Sequence, residues 1–318
     1  NYVHPCGASE PGFAVPNSDD VTIDGCTLTG AISIFDASPG STVTIKNTVA
    51  TRVQFNNALT NVAIVMDNVQ FYHTTASNSF RLMGAMTGCP ISIKDCVWSA
   101  GGKPIRVDGA LVNTPITISS STIVATGGTK AALMFEPGSS ITGSAITITD
   151  TVLTTNTWGL YMGGAQTTSP VTWTNVKVNS PTAIAPGVTA FADSPISLTG
   201  CTFTGKITVT VNSNSPIVIK DTSLVSATFG TTAADVTIEG CHFSSFIQFA
   251  TMATGSVISI KKTTAERVRF SDALTSVTIA FEDTTVETMT SGYYGLEFLG
   301  DLTSSPVSAA RCAFSTTT

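Results

Sequence analysis

The sequence is short of charge. Asp, Glu, Lys and Arg make up 11% of its 318 residues, under half of the roughly one quarter usual in soluble proteins. Acidic residues outnumber basic ones, 21 to 15, for a formal net charge of −6 and a pI near 5.0. There is no basic stripe to neutralise phosphates, which argues against nucleic acid as a partner. Histidine is nearly missing: His4, His73 and His242 are the only three, and none sits in a motif with an acid or a nucleophile. Ser/His/Asp catalysis therefore has no support. Without a GxGxxG or P-loop, nucleotide binding has none either. No CxxC pair appears, and neither a cofactor nor a metal is expected.

Long hydrophobic runs are also missing. Mean hydropathy is +0.29, yet the uncharged stretch that most resembles a span, Gly109 to Thr129, is broken by Pro115 and crowded with Ser and Thr. No membrane span is expected in this segment. The chain opens at Asn1 without an apolar signal core, so any secretion signal is removed or lies outside it. Among 14 Asn there is no Asn-x-Ser/Thr sequon. Either N-glycans are kept off this surface or the organism does not use them; O-linked sugars on Thr are compatible with the sequence.

In place of charge there are 53 Thr and 34 Ser. Thr is β-branched and favours strands. The strongest internal match is long-range: residues 20–69 align with 235–284 at an offset of 215 without gaps. Asp20 to Cys26 (DVTIDGC) faces Asp235 to Cys241 (DVTIEGC), and Arg52 to Phe55 (RVQF) faces Arg267 to Phe270 (RVRF). After one inserted residue, Pro90 to Cys96 faces Pro306 to Cys312. Residues 20–100 and 235–316 thus read as duplicated blocks.

Within the blocks runs a shorter unit, apolar-x-apolar-x-x-small-x-apolar, often preceded by Pro. Its second apolar residue falls at Ile23, Ile45, Met66, Ile93, Ile118, Ile148, Trp173, Leu198, Ile219, Ile238, Ile260, Phe281 and Ala309, thirteen occurrences spaced 19 to 30 residues apart. A third apolar pair follows in each unit, for example Ile32/Ile34, Val53/Phe55, Ile105/Val107 and Leu160/Met162. Period-two alternation with one face inward is the signature of strands. The spacing predicts an all-β, right-handed parallel β-helix (solenoid) of about 13 three-strand coils, a rod of about 60 Å at roughly 4.8 Å per rung. Two places after each anchor, ten of thirteen residues are Gly, Asn or Asp, which tolerate the left-handed conformation of a sharp corner. Residues 1–19 lack the repeat and are expected to form an N-terminal cap or linker to a single domain at 20–318. The last coil shows no capping helix, so a longer chain, or a neighbour at that edge, is expected.

The phrase VTIxGCxFxG at coil spacing resembles the right-handed parallel β-helix superfamily that includes pectate lyases, polygalacturonases and phage tailspikes. That resemblance covers nearly the whole chain and implies a fold rather than an activity. The Ser/Thr-rich texture, clearest from Gly138 to Met162 (GSSITGSAITITDTVLTTNTWGLYM), also resembles the dispersed gene family of trypanosome surface proteins. That likeness implies a β-helical ectodomain.

Candidate chemistry is sparse. Cys26, Cys96, Cys201, Cys241 and Cys312 share one small inward position, which elsewhere holds Thr, Ser or Val. Packing as free thiols is expected there. Cys6 and Cys89 lie outside that register, and a staple from Cys6 to an early coil is one option. Asp95, Asp150, Asp221 and Asp283 occupy the corner, where the turn accounts for them. Arg106, Asp108 and Glu136 are placed to approach one another on adjacent coils. That leaves open a carbohydrate site of the lyase or hydrolase kind, with solvated charge as the plainer reading. The outward residues of the first strand are Thr22, Thr44, Val65, Ser92, Thr117, Thr147, Thr172, Ser197, Val218, Thr237, Ser259, Ala280 and Ser308. They contain no charge and no large side chain. The ten hydroxyl residues among them are the candidate contact stripe. β-Propensity alone, a docking surface for a neighbouring molecule, and ice binding each account for such a row. The functional expectation is a non-enzymatic extracellular or cell-surface protein of structural or adhesive type. Its expected partners are proteins, copies of itself along the side or end to end, or glycans. The alternatives are a carbohydrate-active enzyme and an ice-binding protein.

Overall fold

Alternating apolar and small polar residues in each unit place one set of side chains inward and the other in solvent. The computed structural model describes the chain apart from residues 1, 5, 7–11, 16–17, 74–77, 128–130, 187–190, 231–234, 289–293 and 317–318. At 73, 186, 211–213 and 316 only the backbone is described, so the side chain of His73 lies outside the described residues. Every named strand pairs in parallel with the strand one coil before or after it. The result is a parallel β-solenoid, with no helix among the described residues.

The first face is the sheet of anchor strands, such as Val21–Asp24, Ile116–Ser119 and Val307–Ala310; it holds 14 strands, and the second face 12, bracketing the coil number expected. The third face carries the third apolar pair. There Ile32/Ile34 stack on Val53/Phe55, then on Phe80/Leu82 and Ile105/Val107, all at most 1% exposed. Toward the other end Phe229, Phe249, Phe270 and Phe298 stack in file, with ring centroids 5.1, 5.0 and 4.8 Å apart. Offset aromatic stacking of this kind adds to the burial energy of each ring.

Two features refine the three-strand coil. Many coils carry a short fourth strand, such as Leu59–Thr60, Met86–Thr87, Leu111–Val112 and Ile141–Thr142. Two residues are too few to show a period. Within residues 1–19, Tyr2–Val3 pairs with Val21–Thr22, and Phe13–Val15 pairs with Ile32–Ile34. That segment extends the stack although it lacks the repeat.

The corners hold the coils in register. All thirteen residues two places after the anchor have positive φ, between 47° and 71°, including Ser120, Lys262 and Arg311. A second corner, just before the first strand, is equally regular: Gly40, Asn61, Gly88, Asn113, Gly143, Thr168, Asp193, Asn214, Gly255, Ser276 and Ser304 all have positive φ. Where a Gly follows an Asn on the next coil, the reason is space. A Cβ on Gly143 would lie 2.4 Å from the Asn113 carboxamide oxygen.

The residue after each left-handed one is small and usually bears a hydroxyl or thiol, which bonds twice. At the second corner, Thr114 N–H donates to Ser144 Oγ (2.8 Å), Ser144 N–H to Ser169 Oγ (3.1 Å), Ser169 N–H to Ser194 Oγ (3.0 Å) and Ser194 N–H to Ser215 Oγ (2.9 Å). Ser144, Ser169 and Ser194 also donate to the carbonyl two residues back, as Ser144 does to Thr142 at 3.0 Å, whereas Ser41 and Ser256 donate three residues back. The first corner repeats this with Cys96, Ser121, Thr151, Cys201, Thr222 and Cys241. Cys89 belongs to the second column, accepting from Val62 N–H and donating its own N–H to Thr114 Oγ1. These amides are buried and have no backbone partner in the next coil, so the side chain satisfies them.

Removing the Ser144 hydroxyl leaves the buried Thr114 N–H without its acceptor, while the Thr142 carbonyl keeps its bond from Asn113 N–H at 2.9 Å. Ser144→Ala is expected to destabilise the fold by about 1–3 kcal/mol, and Ser144→Cys by less, since thiols already serve in both columns. Thermal unfolding followed by circular dichroism checks this; an unchanged midpoint for Ser144→Ala would contradict it.

Candidate functional site

The thirteen outward residues of the first strand form one line. Thr22 pairs with Thr44, Thr44 with Val65, Val65 with Ser92, and so on through Thr117, Thr147, Thr172, Ser197, Val218, Thr237, Ser259 and Ala280 to Ser308. Strand register fixes this alignment, because a one-residue slip would turn the apolar set outward. Ser92, Thr117 and Ser308 are exposed and the other ten partly so. The Ser308 hydroxyl reaches the Ile279 carbonyl at 3.4 Å.

A second column lies two residues further along each strand, and its character changes along the rod. At one end Asp24, Lys46, Asp67 and Lys94 are in register; at the other, Lys220, Glu239, Lys261 and Glu282. Sign alternates at every rung. Lys46–Asp24 (3.2 Å), Lys220–Glu239 (3.5 Å) and Lys261–Glu282 (3.4 Å) are ion pairs between neighbouring coils. Hydrogen bonding from Asn47, aided by Lys46, holds the Asp24 carboxyl below its ordinary range; Arg311, with Lys261, does the same for Glu282. These pairs are well exposed and contribute little individually. In the four coils between, the column reads Ser119, Thr149, Thr174 and Thr199. With Thr117, Thr147, Thr172 and Ser197 they make a double array of eight hydroxyls. The sequence reading found the first column and missed the second.

The third face does bring Arg106, Asp108 and Glu136 together, and adds two cations the sequence reading missed. Asp108 accepts from Arg81 Nε and Arg106 Nε, one on each oxygen, both at 2.6 Å. Glu136 lies 3.0 Å from Arg106 Nε and is also paired with Lys103 Nζ. Side-chain exposures of 13–26% make this a half-buried network rather than scattered surface charge. Arg81 was legible as the register partner of Arg106; Lys103 comes from the irregular segment before the strand and carried no signal. Both carboxylates are held by cations, so neither is placed as a free general base.

His242 Nδ1 lies 2.7 Å from Thr264 Oγ1 in a shallow second-face depression of about 500 Å³, which Glu266 and Glu287 also line. Both His242 and Thr264 are exposed, so the imidazole lies open to solvent. No group of three or more His, Cys, Asp or Glu capable of holding a metal occurs among the described residues. No helix among them is long and apolar enough to cross a membrane.

One cysteine expectation is corrected. Cys26 is not a free thiol: it forms a disulfide with Cys6, Cα–Cα 5.0 Å, which ties the N-terminal strand to the first corner. Stacked column positions lie within disulfide reach, and Cys6 meets Cys26 there. Cys89, Cys96, Cys201 and Cys241 are buried free thiols and Cys312 is half-buried. Burial pushes the Cys96 and Cys241 thiols up to about 11, and raises those of Cys89 and Cys201. A raised thiol pKa means less thiolate at neutral pH and slower reaction. Ellman's reagent is therefore expected to react in the native protein with Cys312 alone, and with five thiols after denaturation. Rapid native labelling of Cys96 or Cys241 would contradict the packing described.

No family model and no curated protein matches this chain, so the first family resemblance rests on the repeat phrase alone and the second on Ser/Thr-rich texture. A chain of the cryo-EM structure of the Vag8-C1 inhibitor complex is similar at 12% identity, covering 97% of this chain and 95% of that one, with a TM-score of 0.38. At that score the likeness carries no argument about what this chain does.

Proposed function

We propose that this chain is a non-enzymatic extracellular or cell-surface β-solenoid, a stiff rod that makes contact through an extended surface. Its first face meets protein partners or copies of itself. The observation that carries this reading is the unbroken line of uncharged residues along the first face, broadened to eight hydroxyls over the central coils. Over the central coils, where both outward columns are uncharged, a neighbour approaches closely without desolvating charge. The Cys6–Cys26 disulfide fits an oxidising compartment. The clamped carboxylates of the third face favour a scaffold over a hydrolase or lyase.

Thr117→Lys, Thr147→Lys and Thr172→Lys together place three like charges on successive rungs without touching the core. Circular dichroism is expected to stay unchanged. Lateral association, or partner capture, seen by electron microscopy and crosslinking should fall below detection. Wild-type-like association by the triple variant, or isolated wild-type rods with no partner, would overturn the reading. Turnover on a polysaccharide panel, lost in Asp108→Asn, would replace it with a carbohydrate-active enzyme.

A further inference from the structure

The outward column of the third face is unlike that of the first. Ser33, Gln54, Arg81, Arg106, Met134 and Tyr161 follow one another in register. Tyr161 lies against Trp158 of the same strand, with ring centroids 4.9 Å apart and planes tilted by 31°. Met134 points outward yet is only 9% exposed. Arg, Met, Tyr and Trp are the side chains enriched where proteins bind proteins, and here they share one strip.

The two arginines are also set for a ligand. Stacked one rung apart, their guanidinium groups would repel unless held, and the Asp108 carboxylate holds both by Nε. The Nη groups of Arg81 and Arg106 have no partner among the described residues. They are the edges that grip a carboxylate in a fork. Charge is also unbalanced. Arg81, Arg106 and Lys103 face two carboxylates, Asp108 and Glu136. Arg52, one coil before Arg81, adds a further cation, its Nε committed to the Asn78 carbonyl at 3.0 Å. A half-buried excess of positive charge, on a chain whose net charge is −6, is stabilised by an incoming anion.

We propose that Arg81 and Arg106 form the anchor for an Asp or Glu side chain of an acidic protein segment, with the part-exposed Tyr161 and Trp158 packing against that segment's apolar residues. This rests on the reading that the rod has protein partners, but assigns the tight contact to the third face. The aromatic groups beside the arginines favour a peptide bearing apolar residues, and an acidic glycan is the competing outcome of the test.

The probe is a fluorescent peptide of alternating Glu and Leu, measured by anisotropy at low and at 0.5 M salt, with heparin as a parallel arm. Arg81→Gln and Arg106→Gln are each expected to weaken peptide binding about tenfold or more. Arg81→Lys, which keeps charge and loses the fork, should weaken it by a smaller factor. The Thr147→Lys variant of the first face should bind as wild type. Thermal midpoints establish that each variant is folded. Absence of peptide binding by wild type, or equal binding by folded Arg106→Gln, would overturn this site while leaving the first-face reading standing. Arginine-dependent binding of heparin without binding of peptide would overturn the protein ligand.

Discussion

In many coils the amides after the two corners are bonded to a side chain of the next coil rather than to its backbone, and the stack depends on that substitution. A solenoid of short strands must turn sharply several times per rung. Each turn removes a residue from the sheet ladder and leaves its N–H buried. Here one device serves at both corners: a left-handed residue followed by a small residue whose hydroxyl or thiol accepts from the neighbouring coil and donates two residues back. The abundance of Ser and Thr is in part this inward need, not solely a property of the surface. It also explains why Cys, Ser and Thr interchange in the columns, since each is small and both accepts and donates.

The same device sets where other residues can go. Pro precedes many first strands, as at Pro115, Pro170, Pro195 and Pro216, where its carbonyl accepts from the first-strand amide of the preceding coil and its missing N–H costs no ladder bond. The duplicated blocks keep their corner geometry down to single contacts. Asp20 accepts from Thr42 N–H at 2.9 Å, and Asp235 accepts from Val257 N–H at 2.8 Å, both pairs related by the same offset.

Much of this was legible in the sequence, because the inward residues obey strict spacing. The anchor and third-strand pairs, the first corner and the outward line could be read position by position. The second corner escaped because its signal, a left-handed residue and a hydroxyl before Pro, lies outside any apolar period; Asn113-Thr114-Pro115 and Asp193-Ser194-Pro195 show it once the turn is known. The fourth strand is too short to have a period. Arg106, Asp108 and Glu136 could be paired from the register, whereas Lys103 enters from an irregular segment and Cys6 finds Cys26 across a stretch without repeat. What the repeat leaves free is the outer surface. There the faces divide, hydroxyls along the first and an Arg, Met and aromatic strip on the third.

The central claim is that corner side chains complete the hydrogen bonding between coils. Amide hydrogen exchange tests it residue by residue. The amides of Thr114, Ser144, Ser169 and Ser194, which donate to Oγ atoms, should exchange as slowly as those of strand residues Ile118 and Ile148. Exchange of the corner amides at the rate of open loops, with the strands still protected, would contradict the account.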